Sequence, residues 1–325
     1  TLMKKIFPTR KKGISFLPKK WILAICLVSI AGNTPATQPP KSGKAYVVSN
    51  AHLDTQWLWT VRTSIIDYIP RTIYQNLALI HDYPDYIFNF EGAVKYNWMK
   101  EYYPLDYEKV KEAIKNGRWH VSGSSWDAND VNVPSPESSF RNILLGQEFY
   151  KKEFGLKSTD IFLPDCFGFG YTLPSIAKHC GLIGFSTQKL GWRKKPFYGN
   201  SKIPFTIGRW KGIDGAELIC ALDCGSYVHN FKDDDLTKDN DLIQSVERDP
   251  MRTAYRYFGA GDRGGSAMPV SAMAIEKAQV SGDGPIEIVC ASSDQLYKDY
   301  LHSGKVKELP VFDGELLMDV HASGC

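Results

Sequence analysis

The sequence predicts an α/β fold with a mostly parallel sheet, open or curled into a barrel. Short apolar runs of β type alternate with segments of helical periodicity over roughly 200 residues. Several of the helical segments carry their own start and stop signals. No internal repeat or low-complexity tract interrupts the alternation.

The elements follow in order. Residues 45–49 (AYVVS) form the first strand. Ile73, Leu77 and Ile80 give helical spacing over 71–81. Residues 86–90 read as a strand. Val110 and Ile114 fall at i, i+4 in a charged helix that Asn116 and Gly117 would close. Residues 118–121 are the next strand. Ser135 and Pro136 are a good helix start, and that helix carries Phe140, Ile143, Leu144 and Phe154 up to Gly155. A strand at 160–163, a short helix at 174–180 and a strand at 182–185 come next. Residues 210–222 look like a hairpin turning at Asp214 and Gly215. A late strand at 286–290 and a helix at 294–301 complete the alternation, and the pattern changes after about residue 303.

Composition narrows the function. The chain has 325 residues, 43% hydrophobic and 23% charged, which excludes a disordered, collagenous or coiled-coil protein. Nine of its 39 Lys/Arg lie before residue 45 with no acid among them, so the rest carries 30 basic against 36 acidic residues. A mildly acidic body gives no reason to expect a nucleic-acid partner. The basic N-terminus runs into WILAICLVSIA at 21–31 and then into small residues and Pro39-Pro40, the order of a secretory signal peptide. Its apolar run is shorter than the ~20 residues that span a bilayer. The expectation is a signal peptide and linker over 1–43, a catalytic domain over 44–325 and an exported protein, periplasmic or extracellular. Any membrane contact would come from that segment left uncleaved. Cys220 and Cys224 form a CxxxC without a second pair, so no zinc knuckle is expected and most cysteines are small core residues.

Four stretches can carry chemistry. In AHLDTQWLW at 51–59, His52 and Asp54 are two apart directly after the first strand. On extended chain both side chains point the same way, and an imidazole with a carboxylate suits a divalent cation such as zinc. A packed His and a capping Asp would leave the same triplet. Asp165 ends another strand in FLPDCFGFG at 162–170, framed by Phe167 and Phe169 as an apolar wall, or else caps the following helix. Functional groups gather at the carboxyl ends of parallel strands. The glycine-rich run at 257–265 lacks the phosphate-loop lysine and reads as a tight loop holding Asp262, or as a plain surface turn. His321, among apolar neighbours, is a candidate ligand or a core histidine.

Together these stretches resemble the α-mannosidases of glycoside hydrolase family 38. The matching pieces are AHLDTQWLW, FNFEGAVKYNWMKEYYP at 88–104, GRWHVSGSSWDANDVNVPSPES at 117–138, LPDCFGFGYTLPSIAKHCG at 163–181, FSTQKL at 185–190, GAGDRGG at 259–265 and GELLMDVH at 314–321. The resemblance covers about residues 45–325. It implies an irregular (β/α) barrel, truncated here before a helical bundle and β-rich domains. It implies one zinc ion held by His52, Asp54, Asp165 and His321, and a retaining exo-α-mannosidase acting on an α-mannoside glycan. Asp165 would be the nucleophile and Asp262 the general acid, although Arg263 stands where better-known members continue with an acid. Trp57, Phe167, Lys189 and Arg141 would contact the sugar. A metal-dependent carbohydrate deacetylase is the alternative enzyme, and a non-catalytic sugar-binding chain the alternative without chemistry.

Overall fold

The computed structural model describes residues 41–194 and 203–317. Of the signal peptide and linker expected over 1–43, residues 1–40 lie outside the described residues, as does the candidate ligand His321. Among the described residues no helix is long and apolar enough to cross a membrane.

The first strand, β1 (Gly43–Ala51), is buried from Ala45 onward because the chain packs on both of its faces. Ala45 and Val47 face the helical layer, whereas Tyr46 and Val48 face an enclosed interior. A continuous helical segment follows: α1 (Val61–Thr63), a π-helical turn (Ser64–Tyr68) and α2 (Ile69–Asp82). The buried face of α2 is Ile69, Thr72, Ile73, Asn76 and Leu79, so Leu77 and Ile80 lie at its half-buried margin. Next come β2 (Phe88–Glu91), α3 (Ala93–Tyr102), α4 (Pro104–Lys115) and β3 (Trp119–Ser122). Helix α5 (Pro136–Phe154) starts where Ser135 accepts a hydrogen bond from the Ser138 N–H, and it stops at Gly155 in the left-handed region. Leu144, expected inside, is exposed.

The second half contains β4 (Asp160–Phe162), β5 (Gly168–Phe169), α6 (Leu173–His179) and β6 (Gly184–Ser186). The hairpin of β7 (Ile207–Lys211) and β8 (Glu217–Ala221) is antiparallel, as expected, but begins three residues early. Then come α7 (Asn240–Arg248), β9 (Thr253–Ala260), α8 (Pro269–Ser281), β10 (Ile286–Cys290) and α9 (Gln295–Ser303). Short strands β11 (Val311–Asp313) and β12 (Leu316–Leu317) follow.

In the first sheet β9 flanks β1 on one side, β10 and β2 flank it on the other, and β3 pairs with β2; every pairing is parallel. The second sheet runs β11-β7-β8-β6-β4, with β4, β6 and β8 parallel. No ladder joins the two sheets among the described residues. Instead, Ser124 N–H donates to Asp160 O (3.1 Å) across the β3–β4 seam, and Tyr257 N–H to Cys224 O (2.8 Å) across the seam beyond β8. Between the sheets, Tyr46, Val48, Phe162, Ile219, Ala221, Tyr255 and Tyr257 share one buried cluster. The α/β architecture with a mostly parallel sheet is as predicted, but among the described residues no ladder closes it into a barrel: two sheets face each other across an apolar interior, and hydrogen bonds such as these bridge them.

Candidate active site

Beyond the end of β1 the chain stays extended because a second loop zips against it. His52 N–H donates to Ala260 O (3.0 Å), Asp54 N–H to Asp262 O (2.9 Å) and Gly264 N–H to His52 O (3.1 Å). Leu53 is buried in the core, which turns His52 and Asp54 together to the other side. Asp165 arrives from the loop after β4. His52 Nε2 lies 3.2 Å from Asp54 Oδ1 and 3.7 Å from Asp165 Oδ2. One ligand atom from each of the three falls within 4.8 Å of the others.

This cluster rests on a second layer. His52 Nδ1 is 2.8 Å from Glu91 Oε1, at the end of β2, and the fully buried Lys95 ammonium is 3.4 Å from the same oxygen. Burial alone would push the His52 pKa down, but Asp54 and Glu91 outweigh it and lift it to about 10. Burial would raise the Glu91 pKa, yet Lys95 and His52 hold it down to about 2. Lys189, buried at the end of the loop after β6, forms an ion pair with Asp165 Oδ1. Its pKa is lowered by burial, which the Asp165, Asp262 and Asp54 carboxylates only partly offset. Tyr227 links His52 to Asp262. Its ring meets His52 edge-on at 5.5 Å and its hydroxyl donates to Asp262 Oδ1 at 2.7 Å. Burial, and then the surrounding carboxylates, raise its pKa.

The model of the glycosyl hydrolases family 38 N-terminal domain matches residues 42–315, the span that builds this site. The chain belongs to glycosyl hydrolase family 38. Alpha-mannosidase G of Dictyostelium discoideum is 31% identical over 283 residues, which cover 86% of this chain and 25% of that protein. Alpha-mannosidase 2C1 of Homo sapiens is 30% identical over 280 residues, covering 85% and 26%. The chain therefore spans about a quarter of the length of these relatives. The structure of an alpha-mannosidase from Enterococcus faecalis V583 superposes with a TM-score of 0.64 at 20% identity, over 84% of this chain and 31% of that one, and shows the same fold.

In this family 38 chain, Asp262 sits in the left-handed region (φ 62°), held there by the Asp54 and Tyr227 contacts. Phe167 lies beside the Lys189 ammonium, whose Nζ is 4.8 Å from its ring centre. Phe169 is not part of an apolar wall: it is fully buried in the core and pairs with Leu316 of β12. Trp57 is exposed and meets Trp59 edge-on. Arg141 is not brought to the cluster. It is exposed on α5 and bonds Glu137 one turn earlier, because α5 turns that face to solvent. Sequence reasoning missed Glu91, Lys95 and Tyr227. Glu91 has a signal, as an acid closing an apolar strand run; Tyr227 has none.

Proposed function

We propose that this chain is the catalytic portion of a zinc-dependent retaining exo-α-mannosidase that hydrolyses terminal α-mannosyl residues of glycans. We further propose that it is exported. The observation that carries the reading is the convergence of His52, Asp54 and Asp165 from loops far apart in sequence. Their donor set fits zinc. Bonds of about 2.1 Å in a tetrahedral site put neighbouring ligand atoms about 3.4 Å apart. The His52 separations of 3.2 and 3.7 Å straddle that value. The mixed nitrogen and oxygen donors disfavour calcium, which prefers oxygen throughout. Support for His321 as fourth ligand comes from β12, which pairs Leu316 and Leu317 with Phe169 and Gly168 beside the Asp165 loop. His321 follows Leu317 by four residues, a span that reaches about 13 Å when extended.

Zinc, when bound, would supply a Lewis acid for ring hydroxyls of the sugar. The chain's own residues do the rest. The Asp165 carboxylate attacks the anomeric carbon as the glycosidic oxygen leaves with a proton from Asp262. Asp262 then takes a proton from water, which attacks the same carbon and frees Asp165. Two displacements return the α configuration. The Lys189 ammonium offsets the crowding of Asp54, Asp165 and Asp262, and the Tyr227 hydroxyl orients the Asp262 carboxyl. Trp57 and Phe167 flank the sugar. The test is turnover of an aryl α-mannoside, with the product anomer read by NMR and a chelator control. Retained α-mannose and chelator-sensitive turnover are expected. An inverted product, or acetate release from an acetylated glycan without mannoside turnover, would overturn the reading, the latter in favour of a deacetylase.

A further inference from the structure

Lys95 poses a physical question. Its side chain is fully buried, and removing an ammonium from water costs several kcal/mol unless partners replace the solvent. Two carboxylates do so: Glu91 Oε1 at 3.4 Å and Asp127 Oδ1 at 3.9 Å. Neither acid is spent on Lys95 alone. Glu91 Oε1 is also 2.8 Å from His52 Nδ1. Asp127 Oδ2 accepts a 2.5 Å hydrogen bond from the Thr55 hydroxyl. One cation thus ties two carboxylates, and each carboxylate grips one end of the short segment carrying His52 and Asp54.

The local chain is built for this. Glu91 ends β2 and Gly92 turns the backbone at φ 87°, so that α3 starts at once and Lys95 folds back under Glu91. A β-carbon at position 92 would stand 3.1 Å from the Lys95 nitrogen. The left-handed conformation favours glycine here, and a side chain at this position would also press on the Lys95 ammonium.

We propose that Glu91 and Lys95 are positioning residues for the metal ligand His52, which rests on the zinc reading above. Glu91 accepts a hydrogen bond from the Nδ1–H and so fixes the ring with Nε2 facing Asp54 and Asp165. Lys95 holds Glu91 in place and, through Asp127 and Thr55, holds the His52–Asp54 segment from its other end. A carboxylate behind a metal-bound imidazole orients the ring and raises its basicity, and its loss typically weakens metal affinity about 10–100-fold.

The test measures zinc affinity of this chain by competition with a chromophoric chelator. Glu91→Ala is expected to weaken zinc binding about 10–100-fold. Lys95→Met is expected to weaken it less, because Glu91 remains to accept from Nδ1. The double variant should lose less than the two single losses combined, since the residues act as one unit. Affinities within twofold of wild type for both single variants would overturn the proposal. The wild type gives a second readout that survives a variant that fails to fold. In ¹⁵N spectra of the zinc-loaded chain, His52 Nδ1 should carry a hydrogen-bonded proton and Nε2 the metal shift. Metal on Nδ1 would overturn the proposal while leaving the zinc reading standing. A wild type that binds no zinc would instead overturn that reading, and the positioning role with it.

Discussion

Two polar clusters lie in this fold, one around Asp160 and Asp294 and one around His52, and they are built on opposite principles. Around Asp160 and Asp294 both carboxylates are met by donors, although Asp160 Oδ2 itself has none. Asp160 Oδ1 accepts from the Gly123 N–H and the Ser158 hydroxyl. Asp294 accepts from Ser292, Thr159 and the Lys298 ammonium, with His120 3.6 Å away. Around His52 the balance is reversed. The carboxyl groups of Asp54, Glu91, Asp127, Asp165 and Asp262 gather about the ammonium groups of Lys95 and Lys189. In the first cluster the protein's own hydrogen bonds meet most of the carboxylate oxygens, and Asp160 Oδ2 is the one left without a donor. The second has carboxylates in excess of ammonium groups, and Asp54, Asp127 and Asp165 remain partly exposed. Donor balance, more than burial or acid content, separates polar glue from a site.

The comparison is most exposed at Asp165. If the His52 cluster is a catalytic site, Asp165→Asn removes both the nucleophile and a metal ligand. Turnover of an aryl α-mannoside should fall by ~10³-fold or more, several kcal/mol of transition-state stabilisation. Zinc content has to be measured in the same sample, so that loss of metal and loss of nucleophile are separated. Near-normal turnover by the variant would place Asp165 with the capping residues.

The mirror experiment is Asp294→Ala. It strips partners from Lys298, Thr159 and Ser292 in a cluster that has no part in the proposed chemistry. The expected cost is about 3 kcal/mol of stability, or about 5–10 °C in Tm, with kcat/KM per folded molecule unchanged. A variant that melts normally but turns over slowly would break the distinction between the clusters.

Much of this was legible in the sequence, and the gaps have physical causes. The ends of α5 could be read because Ser135 and Gly155 act locally. His52, Asp54 and Asp165 could be read because each follows a strand of apolar residues. Strand β9 was hidden: its end is Gly259-Ala260, and the glycines that follow make the segment look like loop although it pairs along almost the whole of β1. Helix α3 was missed because it buries Lys95 beside Tyr96, Trp98 and Met99, so its charge pattern does not mark a solvent face. Leu144 erred in the opposite way, as an apolar residue left exposed on α5. Tyr227 reaches Asp262 across 35 residues of chain, and no local pattern reports a contact of that kind.

The acid cluster also predicts a pH signature. Burial would raise the Asp294 pKa, but His120, Lys298 and Thr159 outweigh it and hold it at about 2. Its folded pKa therefore lies below the unfolded value of 3.8. The stability it contributes is complete above that value and is lost as pH falls through about 2. Asp160 works the other way: burial and the Asp294 charge raise its pKa, so protonation relieves it. In denaturant titrations, the advantage of wild type over Asp294→Asn should shrink by about 2 kcal/mol between pH 5 and 2. An advantage that stays constant across that range would mean that the ionised Asp294 contributes nothing through its partners.

The smallest expected effect is the most pointed control. Arg141 lies three residues beyond a segment whose sequence resembles the family, and an arginine beside a sugar site invites a role in holding hydroxyls. The structure gives it a different one. Its guanidinium bonds Glu137 at 2.7 Å on the exposed face of α5, with both side chains 73% exposed. Water already solvates such a pair, and salt screens it. Arg141→Ala should therefore leave aryl-mannoside turnover within twofold of wild type and Tm within roughly a degree. The same result should hold with an oligomannose glycan, whose further residues extend beyond the cleft. A tenfold loss on the glycan alone would show that the substrate surface runs out along α5, and that the acceptor-rich cluster is only the inner end of a longer site.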